Sequence, residues 1–572
     1  MSPLKWWQSA VFYQIYPRSF ADGNGDGISD FVGMTAKLDY LQDLGIDAVW
    51  ISPHFPSPQA DCGYDVSDYT NVAPEYGTLA DFKRFLDEAH RREIRVILDL
   101  VLNHTSDQHE WFKESRSSRD NPKRDWYIWR DATPETPPNN WNSYFGGSAW
   151  EHDPATQQSY YHMFLKEQPD LNWRNPEVKK AMWDAVRFWL DMGVDGYRLD
   201  AIGTIFENPE FPDHPVAIPL EEIQNMRYSA KTPEDVKKMR AIWRSMMQYQ
   251  TDQPGLHELM KELRQLVDEY EDKVLVGEAD QIAYYGNGND ELHLVFNFPL
   301  MHTNRLTPDW IRQNQKMRLP ALPAGAWPCN TLGNHDSSRL ISHFGDGIHD
   351  MEIARIGLAL MLTLKGTPFL YNGEEIGMTD LILTDFSQIR DWLVRWRYKF
   401  ETETLNLPVE VASLNAGKMS RDRCRTPMQW CNAPNAGFSP AGVQTWLPVN
   451  PNYQAGVNVE DQLKDQDSLL NFYKRMLRLR RNTPALVEGE YVLVNEDAKE
   501  YLAFLRTMPG GGQKCLVILN MSEESARAAF SLDEKFSKLL FSSNVRNSKL
   551  ESTSELSLAP FEIYIGELIK QE

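Results

Sequence analysis

Four short apolar runs in this chain each lead to residues able to attack, move a proton or hold a polar substrate. They are Val96-Ile97-Leu98-Asp99 followed by Asn103-His104, Gly196-Tyr197-Arg198-Leu199-Asp200, Val274-Leu275-Val276-Gly277-Glu278, and Asn330-Thr331-Leu332-Gly333-Asn334-His335-Asp336. Carboxylates that converge in pairs divide the labour of bond cleavage: an ionised one attacks while a protonated one supplies the leaving group with its proton. A single such strand end is commonly a loop carboxylate or an Arg–Asp ion pair. Four in order are what a barrel of parallel strands presents, because its active site gathers at the C-terminal ends of several strands.

The elements needed to position these groups are legible around them. Val11-Phe12-Tyr13-Gln14-Ile15-Tyr16 and Ala48-Val49-Trp50-Ile51 read as the first two strands. Thr78 with Asp81 makes a capping-box signal, and Phe82, Phe85, Leu86 and Ala89 share one helical face, so a helix feeds the Asp99 strand. Asn175-Pro176 opens another, with Val178, Met182, Ala185, Val186 and Trp189 on its buried side, feeding the Asp200 strand. This alternation predicts an α/β fold, a (β/α)8 TIM barrel. Residues 1–104 and 175–485 form the catalytic barrel. Residues 105–174, rich in Trp, Tyr, Asn, Asp and Pro and too long for a βα loop, form a small inserted domain after the third strand. An irregular stretch, 379–450, follows the Phe369-Leu370-Tyr371 strand and borders the barrel mouth. Residues 486–572, with alternating runs such as Tyr491–Val494 and Cys515–Leu519, form a C-terminal antiparallel β-sandwich domain.

Bulk properties narrow the partner. A length of 572 residues exceeds one ordinary core. The formal charge of −22 excludes nucleic acid and anionic membrane as partners and favours a neutral small molecule. The N-terminus lacks the apolar stretch of a signal peptide and no run reaches the length of a membrane span, so a cytoplasmic location is expected. Five scattered cysteines, Cys62, Cys329, Cys424, Cys431 and Cys515, read as free thiols, with a Cys424–Cys431 approach left open. Oligomeric state is not readable.

Together with Asp61-Cys62-Gly63-Tyr64-Asp65 and Arg421-Asp422-Arg423-Cys424-Arg425-Thr426-Pro427-Met428-Gln429-Trp430, the four blocks resemble the α-amylase family of glycoside hydrolases, family 13, and within it the α-glucosidase and oligo-1,6-glucosidase group. Retaining cleavage of a glycosidic bond needs a nucleophilic carboxylate and a carboxylic acid roughly 5–5.5 Å apart. The resemblance implies that Asp200 is the nucleophile, Glu278 the acid and base, and Asp336 a third carboxylate gripping sugar hydroxyls. Arg198, two residues before Asp200 and on the same strand face, would keep the nucleophile ionised, while the negative charges of Asp200 and Asp336 would favour the acid form of Glu278. The same resemblance gives His104 and His335 to glucose hydroxyls, and gives Asp61 with Arg421 to the outer hydroxyl of a terminal glucose, closing the pocket. Tyr64 would stack under the sugar, and Phe145 and Phe164 would form an aromatic clamp near the scissile bond. Their bland alternatives are core packing and satisfied core histidines. Asp99 and Asn103 read as supports, and Arg425 as a structural ion-pair partner. Ala201, the residue after the nucleophile, is small where members of the group that cut α-1,6 bonds tend to carry valine, which implies a preference for α-1,4 bonds.

No cofactor is expected for the chemistry. Asp22-Gly23-Asn24-Gly25-Asp26-Gly27-Ile28-Ser29-Asp30 nonetheless spaces oxygen donors as hard cations require, and the family often places Ca²⁺ or Mg²⁺ here. Asp22, Asn24, Asp26, Asp30 and the carbonyl of Ile28 would be the ligands of a structural ion; the alternative is a solvated Asx-rich turn. Two rival functions accompany the resemblance. One is a glucosyl transferase or isomerase of trehalose synthase or sucrose isomerase type, Tyr285–His293 giving some similarity to the former. The other is a non-catalytic transporter-associated subunit, which predicts missing carboxylates and a membrane helix that this sequence does not match.

Overall fold

The computed structural model describes residues 4–546 and 552–570, apart from 217, 219–221, 223–225 and 227–232. Eight parallel strands run in chain order around one sheet: β1 (Phe12–Ile15), β2 (Ala48–Ile51), β3 (Arg95–Leu100), then, past three strands of an insertion, β7 (Gly196–Leu199), β8 (Val274–Gly277), β9 (Leu294–Val295), β10 (Cys329–Thr331) and β11 (Thr367–Tyr371). β11 pairs with β1, and a parallel bridge from Phe296 to Cys329 joins the other two ends, closing the cylinder. Nearly every strand residue is buried, which is why these strands read as unbroken apolar runs.

Side chains alternate between the inside of the cylinder and the helices around it. Phe12, Ala48, Trp50, Ile97, Val274, Val276, Leu294, Phe296 and Phe369 fill the interior, with Phe12 and Phe369 stacked at 4.3 Å. Two residues further along the same faces lie Gln14, Asp99 and Glu278, so the polar groups at the mouth are the continuation of the apolar floor. Gly196 makes this possible between β7 and β8. Its φ of +145° and a Cβ position only 2.0 Å from the Val274 carbonyl leave no room for a side chain. The helices begin where their caps dictate: Thr78 and Asp81 form the reciprocal box that starts Leu79–Arg91, and Asn175 with Pro176 starts Pro176–Met192.

The insertion carries β4 (Trp129–Asp131), β5 (Trp150–Asp153) and β6 (Gln158–Tyr161), which form a three-stranded antiparallel sheet in the order β4-β6-β5. At the other end of the chain, β12 (Glu490–Leu493), β13 (Tyr501–Thr507), β14 (Lys514–Asn520), β16 (Glu534–Ser542) and β18 (Ile563–Lys570) form a five-stranded antiparallel sheet. The short pair β15 (Ala526–Ala528) and β17 (Leu556–Leu558) covers one face of it, sharing a core of Ala503, Leu516, Ile518, Ala528 and Leu556. Among the described residues no helix is long and apolar enough to cross a membrane.

Candidate active site

Arg198 is the hub of one end of the mouth. It is 1% exposed, and its Nη1 donates to Asp99 Oδ1 and Asp200 Oδ1, both at 2.8 Å, while Nη2 pairs with Glu278 Oε2 at 2.6 Å. Asp200 and Glu278 thus hang on the two terminal nitrogens of one guanidinium, the separation scale on which two carboxyl groups flank a single bond. Their side chains keep 12% and 24% exposure against none for Asp99, so the first two open into the mouth and Asp99 is a support. Burial pushes the Asp200 carboxyl well above the usual range against the pull of Arg198, and Asp99 shifts the same way for the same reason. Directly after Asp200 the backbone turns sharply. Ala201 sits at φ 39°, ψ 44°, a left-handed conformation that costs a non-glycine residue about 1–2 kcal/mol, and its N–H donates to Glu278 Oε2 at 2.9 Å.

A second arginine organises the opposite end. Arg421 Nη2 lies 2.8 Å from both Asp61 Oδ1 and Asp391 Oδ1, and Nη1 lies 3.5 Å from Asp336 Oδ1. Asp391, with no exposure, also accepts from the Arg421 backbone N–H at 2.7 Å and from Nε at 3.1 Å, which fixes the plane of the guanidinium. Arg425 adds a second cation, pairing with Asp336 through Nη2 and donating to the His335 carbonyl at 2.9 Å. Burial works against the Asp336 anion, but the surrounding charges reverse this and hold it below the usual carboxylate range. The two arginines are the effective charges, because burial drives His335 down to about 3 and leaves it neutral.

Around these hubs the remaining expected residues divide. His335 receives a hydrogen bond from the Gln14 amide at Nδ1 (2.7 Å), so its proton sits on Nε2, 2.6 Å from the Tyr64 hydroxyl. Tyr64 is 5% exposed, and its ring lies nearly parallel to that of His335, the centroids 5.5 Å apart and the two rings meeting through the hydroxyl and Nε2. His104 is buried and neutral, with Nε2 2.9 Å from the Gln168 amide, which also donates to Asp61 at 3.1 Å. Phe164 packs edge-on against His104, Phe145 lies 5.5 Å from Phe164, and the Arg421 guanidinium sits 5.8 Å from the Phe145 ring. The inserted segment therefore brings both phenylalanines to the mouth.

Away from the mouth, Asp22, Asn24, Asp26, Ile28 and Asp30 make a tight loop held by its own hydrogen bonds. Asp22 accepts from the N–H groups of Gly25 and Gly27, Asp30 from those of Gly23, Asn24 and Gly33, and Asp26 from that of Ile28. Among the described residues no three His, Cys, Asp or Glu side chains converge as a metal nest. The donor set still suits a hard cation, being three carboxylates and an amide oxygen whose hydrogen-bond donors are all neutral. The cysteines are free, and Cys424 points its thiol at the carbonyls of His335 and Arg421 instead of Cys431.

Comparison with known proteins fits this geometry. The model of the alpha amylase catalytic domain matches residues 14–489. The chain belongs to the α-amylase family of glycoside hydrolases. It is 40% identical to an oligo-1,6-glucosidase of Parageobacillus thermoglucosidasius, over 97% of this chain and 98% of that one. It is 41% identical to a probable alpha-glucosidase of Rhizobium meliloti (strain 1021), over 91% and 90% of the two. Among solved structures it is similar to an isomaltulose synthase mutant from Erwinia rhapontici NX5 in complex with D-glucose, with TM-score 0.87 and 35% identity over 99% of this chain and all of that one. The trehalulose synthase of Pseudomonas mesoacidophila MX-45 gives TM-score 0.87 and 37% identity over the same shares. Within this glycoside hydrolase, Asp391, Gln168 and Gln14 are the polar groups at the mouth that sequence reasoning missed. Gln14 was findable, two residues along the inward face from Phe12; Asp391 sits in an irregular stretch with no periodicity to mark it.

Proposed function

We propose that the protein is a retaining, exo-acting α-glucosidase that releases glucose from the non-reducing end of maltose and short α-glucosides. Asp200 attacks the anomeric carbon while Glu278 gives its proton to the glycosidic oxygen, which leaves with the bonding pair. Glu278, now a carboxylate, takes a proton from water, and the water oxygen displaces Asp200; the net change is one water consumed and one glucose released with its configuration kept. For the first step Glu278 has to exchange Arg198 for the glycosidic oxygen, since in the absence of substrate it is paired with that guanidinium. Asp336, His104 and His335 hold the glucose hydroxyls, and Asp61 with Arg421 blocks passage of a longer chain. The observation that carries the reading is the pairing of Asp200 and Glu278 on one buried guanidinium, facing a second arginine that ties Asp61 and Asp336 together.

Chromatography of the products from maltose, isomaltose and sucrose tests it. Glucose from maltose, formed faster than from isomaltose, is the expected result, because the Ala201 methyl leaves the leaving-group side open for a 4-linked sugar; isomaltose turned over faster would remove the linkage preference. Ala201→Val is expected to move the ratio towards α-1,6 bonds by roughly tenfold, the scale of a few methyl groups in a pocket. The second reading, transfer of glucose to sugar instead of water, is favoured by the solved isomaltulose and trehalulose synthases. An isomerised disaccharide as main product from sucrose would replace hydrolysis with that reading.

A further inference from the structure

A cleft of about 390 Å³, lined by residues between Gln388 and Gln454, shares no lining residue with the proposed hydrolytic site. Trp446, Tyr453 and Pro448 supply its apolar surface, and Gln388, Arg390 and Gln444 stand at its rim. The indole of Trp446 is fixed: its N–H donates to Ser19 Oγ at 2.9 Å, and the Arg18 guanidinium sits 5.1 Å from its ring. The rim is not. Gln388, Arg390 and Gln444 are exposed, and among the described residues their side-chain amide and guanidinium groups have no hydrogen-bond or ion-pair partner. No carboxylate lines the cleft, so it holds neither a cation site nor a second cleaving pair, although the chain as a whole carries a charge of −22.

We propose that this cleft is a second, non-catalytic binding site for a neutral oligosaccharide, formed by stacking on Trp446 and Tyr453 and by hydrogen bonds from Gln388, Arg390 and Gln444. A pyranose offers an apolar C–H face and an equatorial ring of hydroxyls, which is the mirror of aromatic and proline surface edged by uncommitted amides. Its place follows from the chain: Arg390 faces outward at the cleft, while the next residue, Asp391, is buried and holds Arg421. The site therefore adjoins, one residue along the chain, the buried Asp391 that holds Arg421. It holds a second saccharide molecule beside the mouth.

Calorimetric titration of the full-length Asp200→Asn protein with maltotriose tests this. Two binding sites per chain are expected, falling to one when Gln388→Ala, Gln444→Ala and Tyr453→Ala are added together. The same triple variant with Asp200 intact should keep its kcat on an aryl α-glucoside. A single site in the parent, or two sites retained in the triple variant, overturns the proposal. Displacement of the second binding event by inorganic phosphate also overturns it, by making the cleft an anion site centred on Arg390. Should the triple variant fail to fold, Gln444→Ala alone, at an exposed position, is expected to weaken the second site severalfold, and an unchanged affinity counts against it.

Discussion

The two arginine centres at the barrel mouth, which the proposed function makes the cleavage end and the closed end of a glucose pocket, use the same parts in different proportion. At the cleavage end one guanidinium, Arg198, serves three carboxylates, Asp99, Asp200 and Glu278. At the closed end Arg421 also meets three, Asp61, Asp391 and Asp336, but Arg425 joins it on Asp336. The consequence is visible in the protonation of the partners: burial raises Asp200 in spite of its single cation, while two cations keep Asp336 an anion. With one guanidinium shared among three carboxylates, burial prevails at Asp200 and Asp99. Two cations on the single carboxylate of Asp336 instead fix it as an anion.

The largest effects should come from the end that exchanges protons. Asp200→Asn is expected to lower kcat on the order of 10⁴-fold or more, for every substrate alike, since it removes the proposed nucleophile. Glu278→Gln should cost about 10²–10⁴-fold on maltose but far less on an aryl glucoside whose leaving group needs no proton. Equal losses on both substrates would show that Glu278 is not the acid. Stopped assays on the two substrates separate the cases.

Arg198→Met breaks the comparison at its hub. Asp99 and Asp200 remain buried without a cation, which is expected to cost about 3–5 kcal/mol of stability. The residual activity carries the sign of the electrostatics. Asp200 must be ionised to attack, and its pKa is already raised by burial, so removing the opposing cation raises it further and moves the acid limb of the kcat/KM profile to higher pH. An acid limb that stays in place would remove Arg198 from the control of Asp200.

The closed end should respond in binding instead. Asp391→Asn keeps the shape but takes away the charge that orients Arg421. The expected loss is about 1.5–3 kcal/mol, or roughly 10–100-fold, in kcat/KM on maltose, carried by KM with kcat nearly kept. A loss confined to kcat would place Arg421 in the chemical step.

What the sequence made legible follows the same physics. Strands buried on both sides must be apolar until they reach the mouth, so Asp99, Asp200, Glu278 and Asp336 stood out as the places where the runs stop. The two-residue strand Leu294–Val295 was too short to show any period, although the bridge from Phe296 to Cys329 makes it a stave of the barrel. The closed end was legible only through resemblance. Asp391 and Gln168 reach it from irregular segments, where neither a repeat nor a cap reveals which way a side chain points, and their roles emerge only when Arg421 and His104 are seen beside them.

The loop from Asp22 to Asp30 extends the comparison to a third acidic segment, in which no arginine or lysine among the described residues takes part. Among the described residues no lysine, arginine or histidine pairs with Asp22, Asp26 or Asp30; the Ser439 hydroxyl and backbone N–H groups are what meet Asp22. Carboxylates spaced along one loop repel one another unless something positive joins them, and an oxygen-only donor set would suit Ca²⁺ or Mg²⁺ for that part. Such an ion would be structural, because Asp30 caps the helix Phe31–Ala36, the Gly27 carbonyl receives the Trp446 backbone N–H, and none of the loop's residues contacts Asp200 or Glu278. Exhaustive EDTA treatment is therefore expected to lower Tm by a few degrees, restored by Ca²⁺, with kcat on maltose unchanged at temperatures where the protein stays folded. A melt that EDTA leaves untouched would mean that the loop's own N–H groups suffice to hold its charge, and that only the two ends of the sugar pocket need a built-in cation.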